Sequence, residues 1–127
     1  MNGYIKLHRK LVDWEWYTDI PTKTLFIHLL LVANHKPNKW RGIEVAKGQR
    51  ITSLNKLAEE TGLSNKQVRT SIEKLVNTGE LGKVATSQYT LLSIVNYADY
   101  QSREGNEKAN EGQSKGNQRA TNKNEEE

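Results

Sequence analysis

Residues 101–127 of this 127-residue chain contain no Val, Ile, Leu, Met, Phe, Trp, Tyr or Cys. Every large apolar side chain therefore lies in residues 1–100, which are enough for one modest core. The Gln/Asn/Lys/Glu-rich remainder cannot offset the entropy of its own ordering. The expected organisation is one folded domain over residues 1–101 and a disordered, low-complexity linker or tail over residues 102–127. Within that tail Gly105-Asn-Glu-Lys-Ala-Asn recurs as Gly116-Asn-Gln-Arg-Ala-Thr. The repeat has no apolar positions to form a helical seam, so it reads as duplicated solvated linker.

Charge divides along the same boundary. Residues 1–100 carry 14 Lys/Arg against 9 Asp/Glu, whereas the tail carries 5 against 6. The part that can fold is the basic part, which favours a polyanionic partner. The absence of cysteine removes disulfide scaffolds, thiolate metal sites and cysteine nucleophiles. The longest apolar run, residues 25–33 with His28 inside it, is about half of what a membrane span needs. The first ten residues have no apolar signal-peptide core, so a cytoplasmic location without membrane contact is expected.

Along residues 3–17, Leu7, Leu11 and Trp14 fall at helical spacing, although Tyr4-Ile-Lys-Leu equally opens as a short strand. Asp19-Ile-Pro-Thr-Lys reads as a helix start with Pro21 in the first turn. That helix runs on to about Asn34. Its apolar residues cover nearly the whole circumference, which predicts a central helix packed on both sides. Residues 36–42 form a polar loop around Trp40. Residues 43–46 and 49–52 suggest a hairpin with a Lys47-Gly48 turn. In that register Val45 and Ile51 fall on opposite faces, which implies a bulge or a single real strand.

The most informative segment is residues 53–77. Ser53 caps a short helix closed by Gly62. Ser64 and Gln67 then form a capping box that opens a second helix over residues 65–77. Val68, Ile72, Leu75 and Val76 are expected on its inner face. Ala58 as the small crossing residue, Gly62 as the turn, and Leu54, Leu57, Leu63, Val68 and Ile72 as the locking set meet the requirements of a helix-turn-helix. Residues 80–86 and 89–96 read as two strands joined at Ser87-Gln88, and Tyr97 and Tyr100 close the fold. The order helix, strand, helix, helix, strand, strand is that of a winged helix. The expected fold class is α+β, mainly α: a winged helix-turn-helix with an N-terminal extension.

The outer face of the second helix suits DNA. Arg69, Gln67 and Asn65 can read base edges, and Ser64, Lys66, Thr70 and Lys74 can take phosphates. In the wing, Lys83 is the one cation and promises a weak phosphate contact. Trp14, Trp16 and Trp40 are candidates for an aromatic protein interface. His8, His28 and His35 do not stand at metal-ligand spacing, and no nucleophile elbow or phosphate loop occurs. Neither an enzyme nor a cofactor is expected.

Several stretches together resemble a known family. They are Gly3-Tyr-Ile-Lys-Leu-His-Arg-Lys-Leu, Trp14-Glu-Trp-Tyr, Leu25-Phe-Ile-His-Leu-Leu-Leu-Val-Ala-Asn-His-Lys, Lys39-Trp-Arg-Gly-Ile, Lys47-Gly-Gln-Arg-Ile-Thr-Ser-Leu, Leu57-Ala-Glu-Glu-Thr-Gly-Leu-Ser, Thr78-Gly-Glu-Leu and Ser87-Gln-Tyr-Thr-Leu-Leu-Ser-Ile-Val-Asn-Tyr. In this order they resemble the N-terminal winged-helix domain of DnaD-like replication proteins, the replisome organisers of phages and prophages of Gram-positive bacteria. The resemblance spans residues 3–101. It implies a module that binds double-stranded DNA, self-associates as a homo-oligomer and helps start replication by leading to helicase loading. In the family a low-complexity linker joins a C-terminal domain. Here the tail resembles that linker and ends at Glu125-Glu-Glu, so contact with a helicase loader or another replication protein is a weaker expectation than DNA. Two other readings stand beside this one: a winged-helix transcriptional regulator, and an oligomerisation scaffold built on the tryptophans.

Overall fold

In the computed structural model, residues 3–101 are described; the expected tail over residues 102–127 lies outside them. Residues 3–8 have no regular secondary structure and lead into a 3-10 helix, Arg9–Asp13, whose first turn is capped by His8 Nδ1 accepting from the Lys10 N–H. The helical spacing of Leu7, Leu11 and Trp14 thus yields only a short 3-10 helix, not an α-helix. The reason lies in the next residues. The Trp14 indole N–H donates to Glu80 and the Trp16 indole N–H to Thr78, both at 3.0 Å. Side chains two apart diverge on an α-helix, so reaching neighbouring partners demands another backbone.

Helix α1 (Ile20–Val32) is capped by Asp19, whose carboxylate accepts from the Thr22 N–H at 3.2 Å, with Pro21 in the first turn. Leu25, Phe26, Leu29 and Leu30 are buried on it. Ile20 and Leu31 remain 59% and 48% exposed, so α1 is covered on one side rather than on both. Helix α2 (Leu54–Thr61) starts at Ser53 and stops at Gly62, whose φ of 82° is the left-handed conformation a helix end requires. Helix α3 (Asn65–Asn77) opens with the full capping box: the Gln67 N–H donates to Ser64 Oγ, and the Ser64 N–H to Gln67 Oε1, each at 3.0 Å. Val68, Ile72 and Leu75 are buried as expected, joined by Ser71, while Val76 is exposed. At 3.6 residues per turn, Val76 sits roughly 80° from Val68 and falls off the edge of the buried stripe.

The strands differ from expectation in their pairing. Strand β1 (Asn38–Trp40) lies where a loop was expected, and it pairs antiparallel with β2 (Ile43–Val45). Trp40 stands opposite Ile43, leaving Arg41-Gly42 as a two-residue turn with φ of 49° and 81°. Positive φ at both positions is the mark of a type I′ hairpin. Strand β3 (Gln49–Thr52) does not pair with β2. The Lys47-Gly48 turn does form, with the Gln49 N–H donating to the Ala46 carbonyl at 3.1 Å, but the chain then diverges. Strand β3 pairs instead with β5 (Thr90–Ile94), and β5 pairs with β4 (Leu81–Ala85) in an antiparallel sheet of order β3-β5-β4. The opposed facing of Val45 and Ile51 thus marks two strands that belong to different sheets.

The core gathers Leu25, Phe26, Leu29 and Leu30 of α1, Leu57 of α2, Val68, Ile72 and Leu75 of α3, and Leu81, Leu92 and Ile94 of the sheet. One buried polar bond crosses it: Thr22 Oγ1 donates to Ser71 Oγ at 3.1 Å, tying α1 to α3. Arg50 donates to the Val32 carbonyl at 3.0 Å, placing a cation at the C-terminal end of α1. Tyr97, the first residue of α4 (Tyr97–Gln101), is buried over Gly48, whereas Tyr100 is exposed. The described residues are a mixed α/β structure with small antiparallel sheets.

Candidate nucleic-acid interface

Helix α3 faces outward with its polar residues because the capping box fixes its start and the Val68–Ser71–Ile72–Leu75 stripe fixes its rotation. Lys66, Arg69, Thr70 and Glu73 are all exposed on it. Among the described residues, Lys66, Arg69 and Thr70 make no side-chain hydrogen bond or ion pair. Two cations and a hydroxyl therefore stand within the first two turns. Glu73 lies one turn further along and repels an anion there, so the attractive end of this face is the N-terminal half.

The remaining candidates on α3 are already engaged. Ser64 and Gln67 hold each other in the capping box, so only the Ser64 hydroxyl hydrogen and the Gln67 amide nitrogen are left for an outside acceptor. Asn65 Nδ2 donates to Asn55 Oδ1 at 2.6 Å and pins the start of α3 to the start of α2. Lys74 points elsewhere. Its Nζ lies 2.5 Å from Asp19 Oδ2 and 5.4 Å from the centre of the Trp16 ring. The Asp19 carboxyl is held below its ordinary range, first by the hydrogen bond from Lys74. Lys74 therefore fastens α3 to the cap of α1 and does not join the outward set.

The tryptophans are likewise occupied. Trp14 packs against Phe26 with ring centres 5.0 Å apart, and its indole N–H is satisfied by Glu80. Trp16 is tied to Thr78 and lies beneath Lys74. Together they fasten the N-terminal segment to the junction of α3 and β4. Trp40 meets Tyr89 edge-on at 5.7 Å and carries Arg41 at 4.9 Å over its ring. All three are half-buried, and each has an internal contact. His28, in the middle of α1, bonds Glu60 of α2 at 2.8 Å, so Glu60 belongs to a helix–helix contact and not to a purely solvated face.

Lys83 is exposed on β4, opposite Leu92 of β5. It is the one cation between Leu81 and Ile94, so the β4–β5 hairpin brings a single positive charge. Sequence reasoning missed two residues that bear on the candidate interface. Asn55 positions Asn65, and Arg41 occupies a hairpin tip; the Arg-Gly pair between two short alternating runs was the available sign for the latter. Among the described residues no three His, Asp or Glu side chains converge as metal ligands, and no helix is long and apolar enough to cross a membrane. No family model, curated protein or solved structure matches this chain.

Proposed function

We propose that this protein is a winged-helix DNA-binding protein that acts in the initiation of phage or prophage DNA replication. Helix α2, the Gly62 turn and α3 supply the helix-turn-helix, and the β4–β5 hairpin supplies the wing. The observation that carries the reading is the exposed, uncommitted trio Lys66, Arg69 and Thr70 on the first two turns of α3. A recognition helix presents its N-terminal half to the major groove, and Arg69 is the side chain suited to guanine O6/N7. Replication, as opposed to transcription, rests on the resemblance of residues 3–101 to DnaD-like replisome organisers.

Titration of duplex DNA by fluorescence anisotropy over a salt series tests the reading. Binding should weaken as salt rises, with a slope near −0.9 in log–log form for each phosphate contacted. Lys66→Ala should lower that slope by about one contact. Arg69→Ala should cost about 1–3 kcal/mol at a preferred site. Wild-type protein that fails to bind duplex DNA at low salt would refute the proposal.

Self-association is the second reading, and its basis moves away from the tryptophans. Ile20 and Leu31 are exposed and lie on one side of α1, separated by eleven residues or about three turns. A homodimer of this kind would pair these faces, and sedimentation of wild type against Leu31→Glu decides it.

A further inference from the structure

The β4–β5 hairpin has one cation where a DNA backbone asks for more, and the β1–β2 hairpin stands beside it. Trp40, the last residue of β1, meets Tyr89 at the mouth of the β4–β5 loop. Tyr89 precedes Thr90, which pairs with Thr52 at the end of β3. Thr52 leads directly through Ser53 into α2, where Asn55 bonds Asn65, the first residue of α3. Each step is a covalent neighbour, a strand pair or a direct contact. A continuous path of contacts thus links the Arg41-Gly42 tip, through the β4–β5 loop, to the start of α3.

The tip itself is unusual. Arg41 has φ of 49°, and among the described residues only Asn96 joins it as a non-glycine with positive φ. Gly, Asn or Asp fits the first position of such a turn without strain, yet an arginine occupies it. Its guanidinium lies over Trp40 and makes no hydrogen bond or ion pair among the described residues. Lys39 behind it is partly offset by Glu44 at 3.7 Å, so the uncompensated charge is concentrated at the tip. A strained position held by a cation that no carboxylate neutralises is the pattern expected of a residue retained for an outside anion.

We infer that the tip of the β1–β2 hairpin is a second DNA-backbone contact, in which Arg41, propped on Trp40, supplies the phosphate-binding cation that the β4–β5 hairpin lacks. The inference rests on the DNA-binding reading of α3 and adds a site to it. An arginine stacked on an indole keeps its donor edge free for phosphate oxygens, and a preorganised fork loses less entropy on binding. The contact reads no bases, so its effect is the same on every sequence.

The test uses the full chain, a short mixed-sequence duplex and three variants: Arg41→Asn, Arg41→Gly and Arg69→Ala. Asn and Gly both accept the positive φ of the turn, so neither removes the hairpin, and thermal melts check that each folds. Loss of one contact should weaken binding severalfold at low salt and reduce the log–log salt slope by about 0.9. Between roughly 50 and 200 mM salt, each Arg41 variant should then lose about 3.5-fold less affinity than wild type. If both folded Arg41 variants keep the wild-type affinity and slope while Arg69→Ala weakens binding, the hairpin contact is overturned and the α3 reading stands. If wild type binds no duplex DNA, both fall together.

Discussion

Gly48 shows how much one residue carries. Its φ of 84° suits glycine, and a Cβ there would lie 2.6 Å from Cβ and 2.8 Å from Cγ of the buried Tyr97. Its carbonyl accepts from Ile94 and its N–H donates to Asn34, so the backbone has no room to retreat. Gly48→Ala should destabilise the domain by about 2–4 kcal/mol, combining left-handed strain with overpacking. Urea denaturation measures it, and a loss below about 1 kcal/mol would show that Tyr97 moves aside. Asp19 is the other decisive residue, as cap of α1 and partner of Lys74. Its carboxyl is lowered in the folded state, so its contribution is present above the ordinary carboxylate range and is lost as pH falls through the lowered value. Asp19→Asn keeps an oxygen for the Thr22 N–H but removes the charge. The variant should therefore be less stable at neutral pH by up to about 1 kcal/mol, given that Lys74 is 38% exposed. The gap should close in acid, and denaturation curves across pH would reveal a gap that instead persists.

At the scale of elements, helices were more legible than strand partners. The caps Asp19, Ser53 and Ser64 and the stop at Gly62 all lie within four residues of what they terminate, so local chemistry suffices to find them. Strand β3 offers no such local marker: its partner β5 is some forty residues away, beyond α2, α3 and β4. Periodicity also misjudged one edge of α3, because a hydroxyl at Ser71 outranks the apolar Val76 for the buried stripe. Thr22 supplies the reason, since the two hydroxyls satisfy each other inside the core. Ser71→Ala should cost about 1–2 kcal/mol by leaving the Thr22 hydroxyl without its acceptor. Adding Thr22→Val should cost less than the sum of the two single changes, since no lone buried hydroxyl remains. Strict additivity in a double-mutant cycle would refute the coupling.

For the whole molecule, the boundary drawn by composition has a direct consequence. Residues 102–127 include no large apolar side chain to bury. Deleting them should leave the melting temperature within about 1 °C; a larger drop by calorimetry would show that the tail contributes to the fold. The candidate interface depends on the molecule in a different way. Eight DNA candidates could be named from residue type, but type does not say which side chains are spent internally. Lys74, Asn65, Ser64 and Gln67 carry suitable chemistry and use it to hold α3 in place. Lys66, Arg69, Thr70 and Lys83 stay available, and Arg41 joins them from a hairpin that pattern alone read as a loop.

Short-range chemistry in the chain settles where α1 begins, where α2 and α3 begin and end, that residues 1–100 hold the large apolar side chains, and that this part carries the basic excess. These follow from caps, periodicity and composition, which act between near neighbours or on the sum of the residues. Pairing of β3 with β5, the role of the tryptophans as internal pins, and the sorting of cations into paired and free depend on residues far apart in sequence. Only the packed chain brings Lys74 to Asp19, Trp14 to Glu80 and Trp40 to Tyr89. Those encounters determine which charges remain for a partner.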